Sequence, residues 1–277
     1  MSEFPPVHGV EHRYVEAGGL RTHVAEAGDG EPLLLLHGWP QHWYAWRGVM
    51  QRLAGSRRLI APDLRGFGWT DAPLGPVSPD VFARDLIALL DALELERVDL
   101  AGHDWGGYTS LLLAARHPER FRRVVAISTP HPWVRVTPRL ALELWRAWYA
   151  VVVAAGVVER STSLPASFIR HDGVPEEDVA VYADRLREPA RAAVSTRLYR
   201  AYLATAASAL RGARPAPRTS VPGLLLIGEH DSAVTPRLAA GLERGGDDLR
   251  VEILPGAGHF VCDTHAGVVA DRLRSFL

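Results

Sequence analysis

"RVDLAGHDWGGYTSLLLAARHPERF" (residues 97–121) joins two periodicities through a cluster of glycines. Its opening "RVDLA" is short and apolar, as a strand buried on both faces should be. From Tyr108 onward apolar residues recur at helical spacing. Between the two, Gly102, Gly106 and Gly107 crowd a tight strand-to-helix turn with Asp104 at its tip. A turn this strained brings backbones together and needs small residues two before and two after the tip. Gly102-His103-Asp104-Trp105-Gly106 meets that need. An aspartate at such a turn is usually an N-cap, so its neighbours in the fold must decide whether it reacts.

Reading outward, "GLRTHVAEAG" (19–28) alternates like an antiparallel strand. "PLLLLHG" (32–38), "RLIAPD" (58–63), "RVVAIST" (123–129), "VPGLLLIGEHD" (221–231) and "RVEILPGAGH" (250–259) resemble the apolar run before Asp104. Helical patterns separate several of them, notably "SPDVFARDLIALLDALEL" with its Ser78-Pro79 start. Strands alternating with helices imply βαβ units and a mainly parallel sheet. The alternation fails once. Residues 132–215 carry helical patterns ("TPRLALELWRAWYAVVVAAGVVER", "PEEDVAVYADRLR", "EPARAAVSTRLYRAYLATAASALRG") and no strand. They read as a helical insertion after the sixth strand, dividing a core of 1–131 and 216–277.

With 277 residues, 47% of them apolar and 23% charged, the chain has the composition of a globular protein with a substantial core. A net charge of −1 and the lack of any basic tract give no draw toward nucleic acid or anionic membrane. No run is long enough to span a bilayer, and "MSEFPPVHGVEHRY" has no apolar signal core, so the expected location is cytoplasmic. Cys262 is the single cysteine and can form no internal disulfide; it is expected to pack near the last strand's loop. The chain has no Lys and no Asn, as a high-GC genome would produce. That excludes Schiff-base and phosphate-loop lysines. "HGVEH" (8–12) lacks the helix and the Glu placement of a zinc motif.

In open parallel sheets, ligands bind at the carboxyl ends of strands. Those ends carry "HGWP" (His37–Pro40), Asp104, Asp231 of "GEHD" and His259 of "GAGH". Nucleophile, acid and base in the order 104, 231, 259 is the order that accompanies such an elbow. His259 would be the base, and Asp231 would orient its imidazole. The backbone N–H groups of Trp39 and Trp105 would form the oxyanion hole. His37 would hold the oxyanion loop, His103 would pack or hydrogen-bond under the elbow, and His230 would be a surface neighbour.

"HGWPQHWYAWRGVMQRLAGSRRLIAPDLRGFGWTDAP" followed by "GHDWGG" resembles the epoxide hydrolases of the α/β-hydrolase fold. The likeness covers most of the chain outside the insertion. It implies a mainly parallel eight-stranded sheet flanked by helices, with residues 132–215 as an inserted helical cap. It also implies a cis Trp39–Pro40 peptide. His37, Pro40 and Trp105 would join the substrate site.

Asp at the elbow has a chemical logic. A carboxylate attacking an ester would give a mixed anhydride. Attacking an sp³ carbon, it gives an alkyl ester, which water activated by His259 can hydrolyse. Such a residue selects epoxides or alkyl halides. An epoxide oxygen leaves as a strong base and needs an acid; in the resembled family two cap tyrosines supply it. The insertion offers Tyr149, Tyr182, Tyr199 and Tyr202. "STRLYRAYL" and "RAWYAVVVAAG" resemble the family's two tyrosine segments and place Tyr199 and Tyr149 in those roles. The expected reaction is epoxide to vicinal diol, without metal or cofactor, on a small apolar epoxide and water, in a monomer or homodimer. The alternatives are a haloalkane or haloacid dehalogenase with the same nucleophile, and a non-catalytic ligand-binding protein. Trp39 stands where haloalkane dehalogenases often have Asn.

Overall fold

The computed structural model describes residues 4–129, 132, 144–210, 218–239 and 241–277. Eight strands form one sheet: β1 (Glu11–Ala17), β2 (Leu20–Ala27), β3 (Glu31–Leu36), β4 (Arg57–Pro62), β5 (Val98–His103), β6 (Phe121–Ile127), β7 (Gly223–Gly228) and β8 (Leu249–Leu254). Their spatial order is β1-β2-β4-β3-β5-β6-β7-β8. From β4 to β8 every pairing is parallel. The β1–β2 hairpin completes one edge, with β2 antiparallel to both its neighbours.

Successive side chains of a strand face opposite sides of the sheet, so an unbroken apolar run must be covered twice. Leu34 and Leu36 of β3 pack in one cluster with Phe82, Leu86 and Leu90 of α2 (Pro79–Ala92) and Leu113 of α3 (Trp105–Arg116). Leu33 and Leu35 pack in the other with Trp46, Met50 of α1 (Arg47–Leu53) and Leu273. Ser78 caps α2 as expected, its Oγ accepting from the Val81 N–H at 3.3 Å, with Pro79 in the first turn.

The described residues between β6 and β7 carry four α-helices: α4 (Trp148–Ala154), α5 (Ser163–His171), α6 (Glu176–Leu186) and α7 (Pro189–Leu210). After β8 come the short α8 (Val261–Thr264) and α9 (Ala266–Phe276). The insertion docks on the loops after β3 and β4. Arg185 and Arg191 donate to the carbonyls of Gly68, Phe67 and Thr70, and Trp39 joins Tyr199 in one cluster. The long helix expected from Thr137 to Arg160 is shorter: α4 stops at Ala154, just before Gly156 turns the chain with φ of 85°. Its first residues, 137–143, lie outside the described residues, as does the stretch 211–217 that leads back toward β7. Among the described residues, no helix is long and apolar enough to cross a membrane.

Candidate active site

Asp104 follows β5 directly, with φ 50° and ψ −118°. That backbone is strained for a residue with a Cβ. It is held by the Asp104 N–H, which donates to the Ile127 carbonyl at 2.9 Å, and by the first turn of α3. The glycines are there for closeness. A Cβ on Gly102 would stand 2.3 Å from the Gly106 carbonyl oxygen, and one on Gly106 would stand 2.3 Å from that of Leu36. Asp104 occupies the N-cap position of α3, yet its carboxylate makes no capping bond. The N–H of Trp39 donates to Asp104 Oδ2 at 2.8 Å instead, and the N–H of Trp105 donates to the same carboxylate.

The loop after β3 brings Trp39 there. His37 is fully buried; its Nδ1–H donates to the Gly38 carbonyl at 3.0 Å, and its Nε2 accepts from the Leu64 N–H at 2.9 Å. Both ring nitrogens are thereby used in holding the loop. The Trp39–Pro40 peptide is cis. The Trp39 indole N–H donates to Ser195 Oγ of α7 at 2.9 Å. Ser195 went unread in the sequence, because a serine within an amphipathic helix carries no signal of its own.

His259 lies beyond β8, and its Nδ1 is 3.0 Å and 3.1 Å from the two carboxylate oxygens of Asp231. Asp231 Oδ1 also accepts from the N–H groups of Ala233 and Val234, at 2.9 Å and 2.8 Å. Burial works against that carboxylate; the His259 ring and these donors outweigh it and hold its pKa below the usual value. Burial also opposes the charged form of His259. The Asp231 charge and hydrogen bond, with smaller help from Asp104 and Asp172, overcome it and raise the imidazole to about 9. Asp104 moves the other way for a carboxylate: its burial raises it to about 6 against the pull of His259 and the two amides. Between those values the resting pair is carboxylate and imidazolium.

A cavity of about 300 Å³ opens above Asp104 and His259. Tyr149 and Tyr199 line it, along with Trp39, Phe168, Phe260 and the more exposed Trp148. Tyr149 and Tyr199 meet edge-on, with ring centroids 5.8 Å apart. Burial pushes both phenols well above their usual pKa, so both stay protonated. Tyr202 stacks edge-on to Trp105 but does not line the cavity, and Tyr182 donates instead to Asp263 at 2.7 Å. Of the residues expected to meet substrate, His37, Pro40 and Trp105 are not on the cavity wall. His37 lies under the loop, and Trp105 is screened by the edge-on rings of Tyr199 and Tyr202.

His103 is buried and its Nε2–H donates to the His259 carbonyl at 2.9 Å, holding the His259 loop from beneath. Cys262 is buried in the core, and His230 is exposed. Asp172, which follows α5, was also missed. In "RHDGV" an Asp beside Gly reads only as a turn, and its partners are 87 residues away. Among the described residues, no group of His, Cys, Asp or Glu is arranged to hold a metal ion.

The sheet order, the elbow and the oxyanion loop together define a class, and the sequence pattern of the α/β-hydrolase fold matches residues 31–266. The chain belongs to that family. Within it, the chain is 29% identical over 97% of its length, and 98% of the other's, to an AB hydrolase superfamily protein of Bacillus subtilis. It is 40% identical to an epoxide hydrolase of Siraitia grosvenorii, over 43% of this chain and 39% of that protein. In three dimensions it is similar to an epoxide hydrolase from Vigna radiata, with a TM-score of 0.78, 25% identity and 98% of each chain covered.

Proposed function

We propose that this protein is an epoxide hydrolase that opens its substrate to a vicinal diol through an ester on Asp104. The observation that carries this is the placement of Asp104. Its carboxylate occupies the two backbone N–H donors of the oxyanion hole, facing a cavity whose wall holds two neutral phenols. The similarity to epoxide hydrolases supports it.

In this reading, the free oxygen of Asp104 attacks an epoxide carbon. The C–O bond breaks, and its electron pair goes to an oxygen that Tyr149 or Tyr199 protonates. The imidazolium of His259 gives up its proton as the phenolate is reprotonated; the neutral imidazole then takes a proton from water, and the hydroxide adds to the carbonyl carbon of the Asp104 ester. The oxyanion forms on Oδ2, where the N–H groups of Trp39 and Trp105 receive it. Collapse expels the diol oxygen, which takes the proton left on the Asp104 carboxyl, so that carboxylate, imidazolium and neutral phenol are all restored. Alkylation also prepares the second step. The Asp104 charge that helps keep His259 protonated disappears on esterification, so the imidazole pKa falls just when a base is needed.

Halide release would need indole or amide donors aimed into the cavity. The Trp39 indole is committed to Ser195, and Trp105 is off the wall, so the geometry favours an alkoxide leaving group. A pure binding role would need no base held against a buried acid. A panel of small aryl and alkyl epoxides and haloalkanes, followed by diol and halide release, tests the reading. Diol is expected and halide is not. Halide release without diol, or turnover of neither, would contradict it.

A further inference from the structure

The segment that carries the base is built into the helical insertion as much as into the sheet. Asp172 follows α5, a helix of the insertion. Its Oδ1 accepts from the His259 N–H at 3.0 Å, and its Oδ2 from the Phe260 N–H at 2.6 Å. The Phe260 side chain is buried in a cluster made largely by the insertion, with Ile169, Val179 and Tyr182. Four residues past the base, Asp263 accepts from Tyr182 of α6 at 2.7 Å and pairs with Arg47, which also pairs with Asp178 of α6. The contact at Asp172 is tight enough to exclude a side chain: a Cβ on Gly258 would lie 2.1 Å from Asp172 Oδ1. Asp172 also lines the cavity.

We propose that Asp172 is a positioning residue for the base, holding the backbone amides of His259 and Phe260 so that docking of the insertion and correct placement of the imidazole are one event. This rests on the two-step reading given above. The sheet supplies the counter-hold, since His103 bonds the His259 carbonyl from below. Without Asp172, the base loop keeps Asp231 and His103 but loses the contact that sets its approach to the Asp104 ester. Nucleophilic attack needs no base, so the loss falls on the second half-reaction alone. The charged and titratable groups facing the imidazole are Asp231 after β7, Asp104 at the elbow, His103 on β5 and Asp172 from the insertion.

Single-turnover quench with an accepted epoxide, measuring the ester on Asp104 as it forms and decays, tests the proposal in the full chain. Asp172→Asn and Asp172→Ala should slow ester decay by about 10–100-fold, the cost of a small misplacement, and leave ester formation unchanged. Gly258→Ala is the second variant, because it expels the carboxylate without touching Asp172 itself. It should reproduce the effect, and Gly258→Ala with Asp172→Ala should be no worse than either alone, since both remove one contact. NMR titration of the His259 imidazole gives a readout without substrate: its midpoint should fall in Asp172→Asn. Unchanged ester decay in folded variants, or equal losses in both half-reactions, would overturn the proposal. Should the wild-type protein form no ester at all, the two-step reading fails. An unmoved imidazole midpoint would then still count against Asp172 independently.

Discussion

Position 104 shows what one residue's surroundings can do. The carboxylate is buried where a hydrolase elbow more often holds a serine, and burial raises its pKa to about 6. A nucleophile must be ionised, so the rate of Asp104 alkylation in a single turnover should fall as the pH drops through about 6. A rate that stays flat down to pH 4 would mean that burial does not raise the carboxylate to about 6. The phenols answer a different need. Tyr149→Phe and Tyr199→Phe each remove one donor to the leaving oxygen and should each slow alkylation by about 100-fold or more, the usual scale for a lost general acid. Their combination should nearly abolish it. Wild-type rates in the double variant would remove both tyrosines from the mechanism.

At the scale of elements, the elbow is the least forgiving part of the fold. Gly102→Ala would press a methyl group against the Gly106 carbonyl, which the first turn of α3 holds in place. That should cost about 1–3 kcal/mol of stability or more and lower turnover, as urea melts and a diol assay would show. Ser78→Ala, far from the cavity, should cost about 1 kcal/mol and leave turnover alone. Strands buried on both faces were legible because nothing else explains unbroken runs such as "LLLL" before His37. The edge strand β1 was not: "EHRYVEA" is half exposed and presents no apolar face to read. Helix α5 was hidden by Pro165, which the helix accepts because it falls in the first turn, where no intrahelical N–H is required. The elbow and the meeting of Asp231 with His259 were legible from glycine spacing and strand ends. The supporting contacts of Ser195 and Asp172 were not, because each depends on a partner distant in the chain.

For the molecule as a whole, histidine burial sets the response to acid. Burial lowers the pKa of His37, and brings His42 and His103 to about 3 and His12, which the His23 charge also depresses, to about 4. In the unfolded chain each titrates near 6.5. Below that pH the unfolded chain binds more protons, so each of these groups withdraws stability as the pH falls from about 6.5 toward its folded value, by about 1.4 kcal/mol per pH unit. His259 has the opposite sign: raised to about 9, its contribution is complete below 6.5 and is lost as the pH rises through 9. Between pH 6.5 and 4 His259 adds no slope, and the raised carboxylates of Asp104 and Asp263 oppose the four histidines; the larger set predicts a melting temperature that falls across this range, and thermal melts check it. A flat or rising profile would mean these rings are not buried as described. On the proposed mechanism, sheet, elbow and insertion together serve two half-reactions, and His259→Gln should separate them. Incubated with a good epoxide, this variant should accumulate an adduct heavier than the free protein by the mass of the whole epoxide, and peptide mapping should place it on Asp104. In a companion single turnover of the wild-type protein in ¹⁸O-water, the first diol should carry no label, because its new oxygen comes from Asp104. No adduct and a labelled first diol would mean that water attacks the epoxide directly, and that Asp104 is not the nucleophile.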